Sequence, residues 1–334
     1  MNQVKAIQIG FLIFPGFPMA CLTSMIEPLR AANEIFGGTA FGWKLLSEDG
    51  ARVQASANVW FDPDLALREC EGLDHVFLLS GPSSKFNNPT KSNGVLRKLA
   101  RHGVSLGAIS GGVFPLARTG LLDSHTTSVH WCYEAAFAAE FPNLVATQDV
   151  IKIDRRRLTA SGAAAAFDLS LGLISDALNE NVATEVACWF QHPLVRGQGV
   201  TQRTPTFAAE STNDMLPSNV REAVSIFASH VEDTVNIADV AAQVGISVRQ
   251  LERMFLKTTG TSPHGYYKTL RMQKARQLLL YSKDTMAQIA IAVGYNSSSS
   301  LSKSYREVFG VHPKEDRDKV NMFRVRDNVI VPSA

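Results

Sequence analysis

Hydrophobic and polar positions follow two different patterns along this chain. Up to about residue 192, short apolar runs alternate with stretches of helical spacing, and beyond about residue 219 only helical spacing remains. Alternating strand and helix patterns are typical of a parallel sheet covered by helices, whereas helical spacing alone indicates an all-helical domain. The patterns therefore predict an α/β N-terminal domain, built as a parallel-sheet sandwich, followed by an all-α C-terminal domain.

Strands of the first half are predicted from apolar runs that end at glycine or proline. Residues 6–14 and 74–80 are such runs. Residues 104–109 lead without a spacer into Ser110-Gly111-Gly112, so the strand-to-helix turn there must be tight. The other elements predicted in this half are helices at 19–35, 91–102, 113–118 and 163–178 and a hairpin at 150–153 and 157–159.

The chain between the two halves is rich in Pro, Gly, Ser, Thr, Gln and Asn, which is typical of a linker or a surface strap. The helices predicted beyond it lie at 220–231, 237–244, 248–258, 264–282, 286–293 and 299–309. We therefore expect an N-terminal domain at 1–192, a linker at 193–218, a helical domain at 219–315 and a partly ordered, weakly patterned tail at 316–334.

Composition excludes several classes of protein. Of the 334 residues, 45% are hydrophobic and 19% are charged, which is too apolar for a disordered chain. No apolar run reaches the roughly 18 residues of a membrane-spanning helix, and no signal-peptide layout begins the chain, so we expect a cytoplasmic protein without a membrane partner. The four cysteines include no Cys-x-x-Cys pair, so we expect buried thiols, no metal site and no cofactor.

The net charge of +2 conceals two halves of opposite sign. Residues 1–215 carry 17 basic and 20 acidic side chains, whereas residues 216–334 carry 16 and 11. Between Val240 and Lys314 there are 11 basic side chains and three acidic ones. Such a basic block indicates either a polyanion partner, most often nucleic acid, or a solvated basic face.

The basic block contains an internal repeat with a spacing of 49 or 50 residues. The two copies are Ile237-Ala-Asp-Val-Ala-Ala-Gln-Val-Gly245 followed by Leu251 and Phe255, and Met286-Ala-Gln-Ile-Ala-Ile-Ala-Val-Gly294 followed by Leu301 and Tyr305. A small Ala four residues before a Gly lets a short helix turn sharply, as a helix-turn-helix requires. The second helix of each copy then buries its Leu and its aromatic residue and leaves the opposite face free.

Side chains on these free faces can donate to base edges and phosphates. The expected DNA contacts are Arg249, Gln250 and Arg253 in the first copy and Ser298, Ser299, Ser302, Lys303 and Arg306 in the second. Two copies in register that also carry the basic excess favour the nucleic-acid interpretation over a solvated face.

Residues 219–313 resemble the DNA-binding domain of the AraC/XylS family of bacterial transcription regulators. The resemblance is carried by an Ile-Ala-x-x-x-Gly-Tyr core ending at Tyr295, by Ser-x-x-x-Leu-x-Arg-x-Phe at 247–255 and by Tyr-x-x-x-x-Gly-x-x-Pro at 305–313. It implies a seven-helix unit whose long helix holds two recognition helices in successive major-groove segments, roughly 34 Å apart. Lys303 departs from the family's Arg at that position, which weakens bidentate base reading.

Ser110 has the position of a nucleophile elbow at the tight strand-to-helix turn. With His130 downstream and Glu27 on the first helix, a Ser, His and acid constellation can be drawn, and the amides of Gly81 and Gly111 can form an oxyanion hole. A tight turn needs Gly and a small residue even without chemistry, and a serine without a positioned base is inert. We therefore favour a structural role and expect no catalytic residue.

Residues 5–178 resemble the class I glutamine amidotransferase-like superfamily that includes the PfpI branch. The matching features are Glu27, Leu78-Leu-Ser-Gly81, the elbow at Ser110, the segment 126–131 and Thr159-Ala-Ser-Gly162. Catalytic members carry Cys at the elbow, a better nucleophile than serine, so Ser110 argues against amidotransfer, proteolysis and glyoxalase-like activity. The order of the two resemblances matches the GlxA-like branch of AraC-type regulators, in which the amidotransferase-like domain is a sensor.

The sequence thus predicts a DNA-binding transcription regulator, not an enzyme, with promoter DNA, a small-molecule effector and a second copy of itself as partners. Residues 24–33 resemble a branch that includes regulators of glycine betaine, carnitine and arginine catabolism, which implies an amine-bearing carboxylate as effector. The expected ligand site comprises Glu27, Gly81, Ser110, Gly111, His130 and Trp131. Two alternatives remain open: a Ser-dependent hydrolase or amidase with an appended DNA-binding domain, and an architectural DNA-binding protein with an idle first domain.

Overall fold

The computed structural model describes residues 6–192, 195–204 and 216–322, of which the side chains are described up to residue 318. One compact unit extends to Gln202, and a second spans Arg203–Val320. Of the predicted linker, residues 193–194 and 205–215 lie outside the described residues, as does the tail from 323 onward. No helix within the described ranges is both long and apolar enough to cross a membrane.

The first unit contains eleven strands and six α-helices among its described residues. The strands are β1 (Ile7–Ile13), β2 (Phe41–Ser47), β3 (Val53–Gln54), β4 (Trp60–Phe61), β5 (Leu65–Ala66), β6 (His75–Ser80), β7 (Ser105–Ser110), β8 (Thr126–Ser128), β9 (Val145–Thr147), β10 (Ile151–Asp154) and β11 (Arg157–Ala160). The helices are α1 (Met19–Phe36), α2 (Pro89–Arg101), α3 (Val113–Ala117), α4 (Glu134–Glu140), α5 (Ala163–Ala177) and α6 (Glu180–Trp189).

A seven-stranded sheet in the order β10-β11-β7-β6-β1-β2-β5 forms the centre of this unit. Its neighbouring strands are parallel except for the antiparallel β10-β11 pair, which is the predicted hairpin. β1 is almost entirely apolar because it lies inside the sheet, where Ile9, Phe11 and Leu12 are fully buried. The predicted parallel-sheet α/β fold of the first half is therefore confirmed.

Helices α1, α5 and α6 pack closely against one another in the same hydrophobic core as the sheet. Small side chains permit this approach, since Ala31 and Ala32 of α1 and Ala166 of α5 are fully buried. The hydroxyl of Ser170 in α5 donates to the carbonyl of Met25 in α1 at 3.1 Å, so a buried polar group is satisfied between the two helices.

The expectation of buried cysteines is met at three positions of four. Cys21, Cys70 and Cys132 are buried free thiols, whereas Cys188 near the end of α6 is exposed. Cys188 lies on the solvent side of its helix, because Val186 and Ala187 supply the buried side.

The second unit is all helical within its described residues, which confirms the other half of the predicted fold class. Its helices are α7 (Ser218–Ser229), α8 (Ile237–Gln243), α9 (Val248–Thr259), α10 (Pro263–Tyr281), α11 (Met286–Ala292), α12 (Ser298–Phe309) and α13 (Pro313–Met322). The repeat appears as two helix-turn-helix pairs, α8-α9 and α11-α12, with α10 between them. Each pair buries its predicted anchors: Leu251, Phe255 and Leu301 are fully buried and Tyr305 is almost so.

Residues 316–322, expected in a weakly patterned tail, belong instead to α13. Asp316 is buried, accepts a hydrogen bond from the hydroxyl of Tyr305 at 2.6 Å and forms an ion pair with Arg276 of α10 at 2.9 Å. Arg317 donates to the carbonyl of Leu279 in the last turn of α10 and to that of Asp284 in the connection between α10 and α11. Charged contacts rather than an apolar stripe hold this helix, so hydrophobic spacing does not reveal it.

The two helix-turn-helix pairs are joined through the turn of the second pair. Arg271 of α10 donates to the carbonyls of Val293 and Gly294 at 2.8 and 2.6 Å, and its guanidinium lies 4.4 Å from the ring centre of Tyr295 and 5.7 Å from that of Tyr267. These contacts connect the core of the first pair, to which Tyr267 belongs, with the turn between α11 and α12.

The glycines of the two turns have different surroundings. Gly245 and Gly294 both have positive φ angles, of +76° and +70°. A β-carbon on Gly245 would meet nothing within 4 Å, whereas one on Gly294 would lie 2.6 Å from the carbonyl oxygen of Glu232 and 2.8 Å from that of Val231. The first glycine is therefore required by its backbone angle alone, and the second also by close backbone approach.

Substitution of each glycine by alanine tests the close approach of Gly294 to the 231–234 segment, with Gly245 as the matched control. Gly245→Ala should lower the opening free energy of the second unit by about 1–2 kcal/mol, the cost of a β-carbon in the left-handed region. Gly294→Ala carries the same strain and must also displace the 231–234 segment, so we expect a clearly larger loss. Native-state hydrogen exchange of the α11 and α12 amides measures both variants, and equal losses would contradict the contact.

Candidate nucleic-acid interface and sheet-edge site

The first predicted recognition helix, α9, begins at a reciprocal cap. The hydroxyl of Ser247 accepts from the backbone amide of Gln250 at 3.3 Å, and the side-chain oxygen of Gln250 accepts from the backbone amide of Ser247 at 2.9 Å. Such a capping box satisfies two amides that the first turn of a helix leaves free. Because its oxygen is used in the cap, Gln250 offers its NH2 group to a ligand outside the helix.

The exposed side of α9 carries a groove of about 760 Å³. The groove is lined by Ser247, Arg249, Gln250, Glu252, Arg253, Leu256 and Ser262. All three residues predicted to contact DNA in this copy are among them, on the side opposite the buried anchors. Glu252, Leu256 and Ser262 were not predicted, although the helical spacing from Arg249 and Arg253 indicates the first two of these.

The second predicted recognition helix, α12, begins at a single serine cap, in which the hydroxyl of Ser297 accepts from the amide of Ser300, and its exposed side is less charged. Ser299, Lys303 and Arg306 are exposed, whereas Ser298 and Ser302 are half-buried. The hydroxyl of Ser302 donates to the carbonyl of Ser298 at 2.7 Å, so its proton is used within the helix and its oxygen remains as an acceptor.

In the first unit, three of the predicted ligand residues meet where β6 and β7 end. Ser80 pairs with Ser110 in the parallel register, which brings Gly81 beside Gly111. A β-carbon on Gly111 would lie 2.5 Å from the carbonyl carbon of Gly81, so the two backbones are in contact. Ser110 itself has φ of 55°, the strained backbone of an elbow, and its side chain is almost fully buried. This edge, together with the adjacent end of β11, is called the sheet-edge site below.

His130 lies at the same edge, beside Gly162 at the end of β11, where an added β-carbon would be 3.8 Å from Nε2. Burial lowers the pKa of His130 to about 4, so the ring is neutral near pH 7. Its Nδ1 lies 2.9 Å from Sγ of Cys132 and accepts from the Cys132 amide at 3.3 Å. With Nδ1 accepting, the neutral ring carries its hydrogen on Nε2.

This arrangement bears directly on chemistry at Ser110. No hydrogen bond joins Ser110 to His130 within the described residues, and the acceptor nitrogen of the ring is already used by Cys132. A general base needs a free acceptor within reach of the hydroxyl proton. Burial also raises the pKa of the Cys132 thiol to about 12, so the neighbouring cysteine is not a thiolate.

Glu27 is not brought into contact with the other predicted residues. Its carboxylate pairs with Arg30, one turn along α1, at 2.9 Å, and Arg30 also pairs with Glu34 at 2.7 Å. The Glu27 side chain is half-exposed. No hydrogen bond or ion pair connects it with Ser110 or His130 in the described part of the chain.

Trp131 is hydrogen-bonded to Gln202, which lies in the segment 195–202. Its backbone amide donates to Oε1 of Gln202 at 2.9 Å, and Nε2 of Gln202 donates to the carbonyl of Val129 at 2.8 Å. Gln202 is buried, and Thr201 beside it forms a β-bridge with Asp149. Gln202 is therefore bonded to the chain on both sides of His130, and it directly precedes Arg203, at which the second unit begins.

The start of the same segment is held by a buried carboxylate. Asp168 of α5 is fully buried and accepts from Nε2 of His192 at 2.7 Å and from Nε of Arg196 at 2.8 Å. Sequence spacing gives no sign of this cluster, because Asp168 is one polar position in an apolar helix and its partners lie beyond the next helix.

Two family profiles match the chain, one for each unit. The profile described as DJ-1/PfpI family matches residues 11–176, and the profile described as Helix-turn-helix domain matches residues 240–319. The second match contains both recognition helices.

Known transcriptional regulators are similar to this chain, two of them over most of its length. The HTH-type transcriptional regulator GbdR of Pseudomonas aeruginosa is 34% identical over 92% of this chain and 83% of its own. The HTH-type transcriptional regulator CdhR of the same organism is 33% identical over 92% of this chain and 90% of its own. The crystal structure of an AraC family transcriptional regulator from Pseudomonas putida matches with a TM-score of 0.51 at 26% identity, over 55% of this chain and 99% of that chain.

The similarity to GbdR and CdhR covers 92% of this chain and therefore extends over both units, and the DJ-1/PfpI match covers the sheet with its elbow. The chain belongs to the family of AraC-type helix-turn-helix transcriptional regulators that carry an N-terminal DJ-1/PfpI domain.

Proposed function

We propose that this regulator binds a small metabolite at the sheet-edge site and reads promoter DNA with α9 and α12. The observation that supports DNA reading most strongly is the pair of capped helices, each with buried anchors and an exposed polar side, connected through Arg271 on α10. The proposed DNA contacts are Arg249, Gln250, Arg253, Ser298, Ser299, Ser302, Lys303 and Arg306. The unit that carries them is proposed to span residues 219–315 together with α13.

The proposed effector is an amine-bearing carboxylate such as an amino acid or a betaine. Its carboxylate would accept from Nε2–H of His130, a neutral donor that needs no proton from solvent, and from backbone amides near Gly81 and Gly111. The ring of Trp131 offers a face to the ammonium group. For Glu27 to take part, its carboxylate would have to exchange Arg30 for that ammonium group.

A Ser-dependent hydrolase is not supported by this geometry. Ser110 lacks a base, because His130 accepts from Cys132 at Nδ1 and carries its hydrogen on Nε2. The contact between Trp131 and Gln202 instead supports a sensor, since a ligand that moves the Trp131 backbone must act on the residue that precedes the second unit. We further propose a homodimer, as the family resemblance implies, which light scattering of the full chain tests.

Removal of Arg253 should affect binding in a sequence-dependent way. Arg253→Ala is expected to cost about 1–3 kcal/mol on a duplex selected by the wild-type chain and to relax preference at one base pair, because a bidentate contact to guanine is lost. Lys257→Ala, on the same helix but outside the groove, is the control for lost charge and should weaken all duplexes alike. Competition binding assays measure both, and an equal, sequence-independent loss would make Arg253 a phosphate contact.

Substitutions at Ser110 test the ligand site. Ser110→Ala should leave DNA affinity unchanged and weaken effector binding modestly, by about the 0.5–1.5 kcal/mol of one hydrogen bond. Ser110→Trp should fill the site and abolish the response. Calorimetric titration of amino acids and quaternary ammonium compounds into the full chain measures effector binding by each variant. Turnover of a bound ligand that Ser110→Ala abolishes would refute the sensor function.

His130 should make the first unit less stable in acid. Its pKa in the folded protein, about 4, lies below that of an unfolded histidine, so the unfolded chain binds the proton more tightly and stability falls between about pH 6.5 and 4. The contribution over this window is about 3 kcal/mol. His130→Asn should remove that part of the pH dependence, whereas the exposed His102→Asn should not.

Tryptophan fluorescence reports the unfolding of the first unit alone, because all four tryptophans, at positions 43, 60, 131 and 189, lie in that unit. Urea unfolding at several pH values gives the free energy of unfolding at each pH, and hence its change with pH for each variant. If the His130 variant kept the wild-type pH dependence, His130 would take up its proton at the same pH in the folded and the unfolded chain, and burial would not lower its pKa.

A further inference from the structure

Leu256 is a large apolar side chain on the polar, basic side of α9. It is 63% exposed and lines the groove together with Arg249 and Arg253. The hydrophobic core lies on the other side of the helix, where Leu251 and Phe255 are fully buried. Packing of the second unit therefore leaves most of Leu256 in water.

The repeat provides an internal comparison for this position. Leu251 and Phe255 correspond to Leu301 and Tyr305, so Leu256 corresponds to Arg306 of α12, which is also exposed. A charged side chain is thus compatible with the fold at this place. A single exposed apolar residue is ordinary on a protein surface, so exposure alone says nothing about a ligand. What distinguishes Leu256 is its place in the groove, beside Arg249 and Arg253.

The charges beside Leu256 indicate what kind of ligand the groove binds. Arg249 and Arg253 lie seven and three residues before Leu256, on the same face of the helix, and they favour a polyanion over an apolar protein surface. In the major groove of DNA the apolar group that a side chain can contact is the C5-methyl group of thymine. Three residues advance a helix by about 4.5 Å, close to the spacing of about 3.4 Å between base pairs.

We propose that Leu256 is a specificity-determining residue that reads the methyl group of a thymine next to the base pair contacted by Arg253. The inference rests on the proposed entry of α9 into the major groove. It adds to that function a preference for thymine over cytosine or deoxyuridine at one position of the first half-site.

The experiment removes the methyl group without changing base pairing. The probe is the duplex that the wild-type full chain selects from a randomised pool, and each thymine is replaced in turn by deoxyuridine. For the wild type, we expect one replacement in the half-site of α9 to weaken binding about fourfold, as the loss of one buried methyl group implies. Leu256→Ala should weaken binding to the unmodified duplex by at least this factor and should be insensitive to that same replacement.

Ile291→Ala is the matched control. Ile291 is also 63% exposed, but it lies on α11 and outside the groove, so this variant should keep the wild-type affinity and the wild-type response to deoxyuridine. Because both side chains are exposed, neither variant should change the helical circular dichroism.

Several results would overturn the proposal. One is a wild-type chain that is indifferent to deoxyuridine at every position, and another is a Leu256→Ala variant that keeps the full response. A variant with normal DNA affinity but reduced transcription would assign Leu256 to a protein partner instead. Arg253→Ala separates this inference from the function beneath it: if that variant binds normally, α9 does not read DNA, whereas loss in Arg253→Ala without loss in Leu256→Ala rejects the thymine contact alone.

Discussion

The guanidinium of Arg271 joins the two halves of the DNA-binding unit. It lies near the rings of both Tyr267 and Tyr295 and donates to two carbonyls at the end of α11. The long helix α10, which carries Arg271, packs directly against α9, α11 and α12. Arg271 adds to this packing its bonds to the turn before α12, and the helix and its guanidinium together fix the distance between α9 and α12.

The second unit was largely predictable from sequence because its signals are local. Caps, small alanines, positive-φ glycines and anchors one turn apart all lie within a few residues of one another and occur twice. β2 was missed because Gly42 and Lys44 interrupt its pattern, and only pairing with β1 stabilises it as a strand. α13 was missed for a related reason, since its contacts through Asp316 and Arg317 are with residues far away in the chain.

The sheet-edge site was predictable in its backbone and not in its polar contacts. Tight glycine spacing indicated the elbow, and the structure brings Gly81, Ser110 and Gly111 together there. The orientation of His130 toward Cys132 and the pairing of Glu27 with Arg30 depend on side-chain directions and charges that a linear motif does not specify. The Ser110, His130 and Glu27 constellation that can be drawn from the sequence is therefore not formed once donors and acceptors are assigned.

With α9 and α12 reading DNA as proposed, their unlike exposed faces have a consequence for how the chain lies on its promoter. One face combines arginines with a leucine, and the other combines serines with a lysine and an arginine. Because the two helices differ, the DNA site that they bind has a direction. When the duplex is turned end to end, each half-site meets the helix that does not match it. Orientation along the DNA, and hence which side of the protein points toward the transcribed gene, is then encoded in the order of the half-sites.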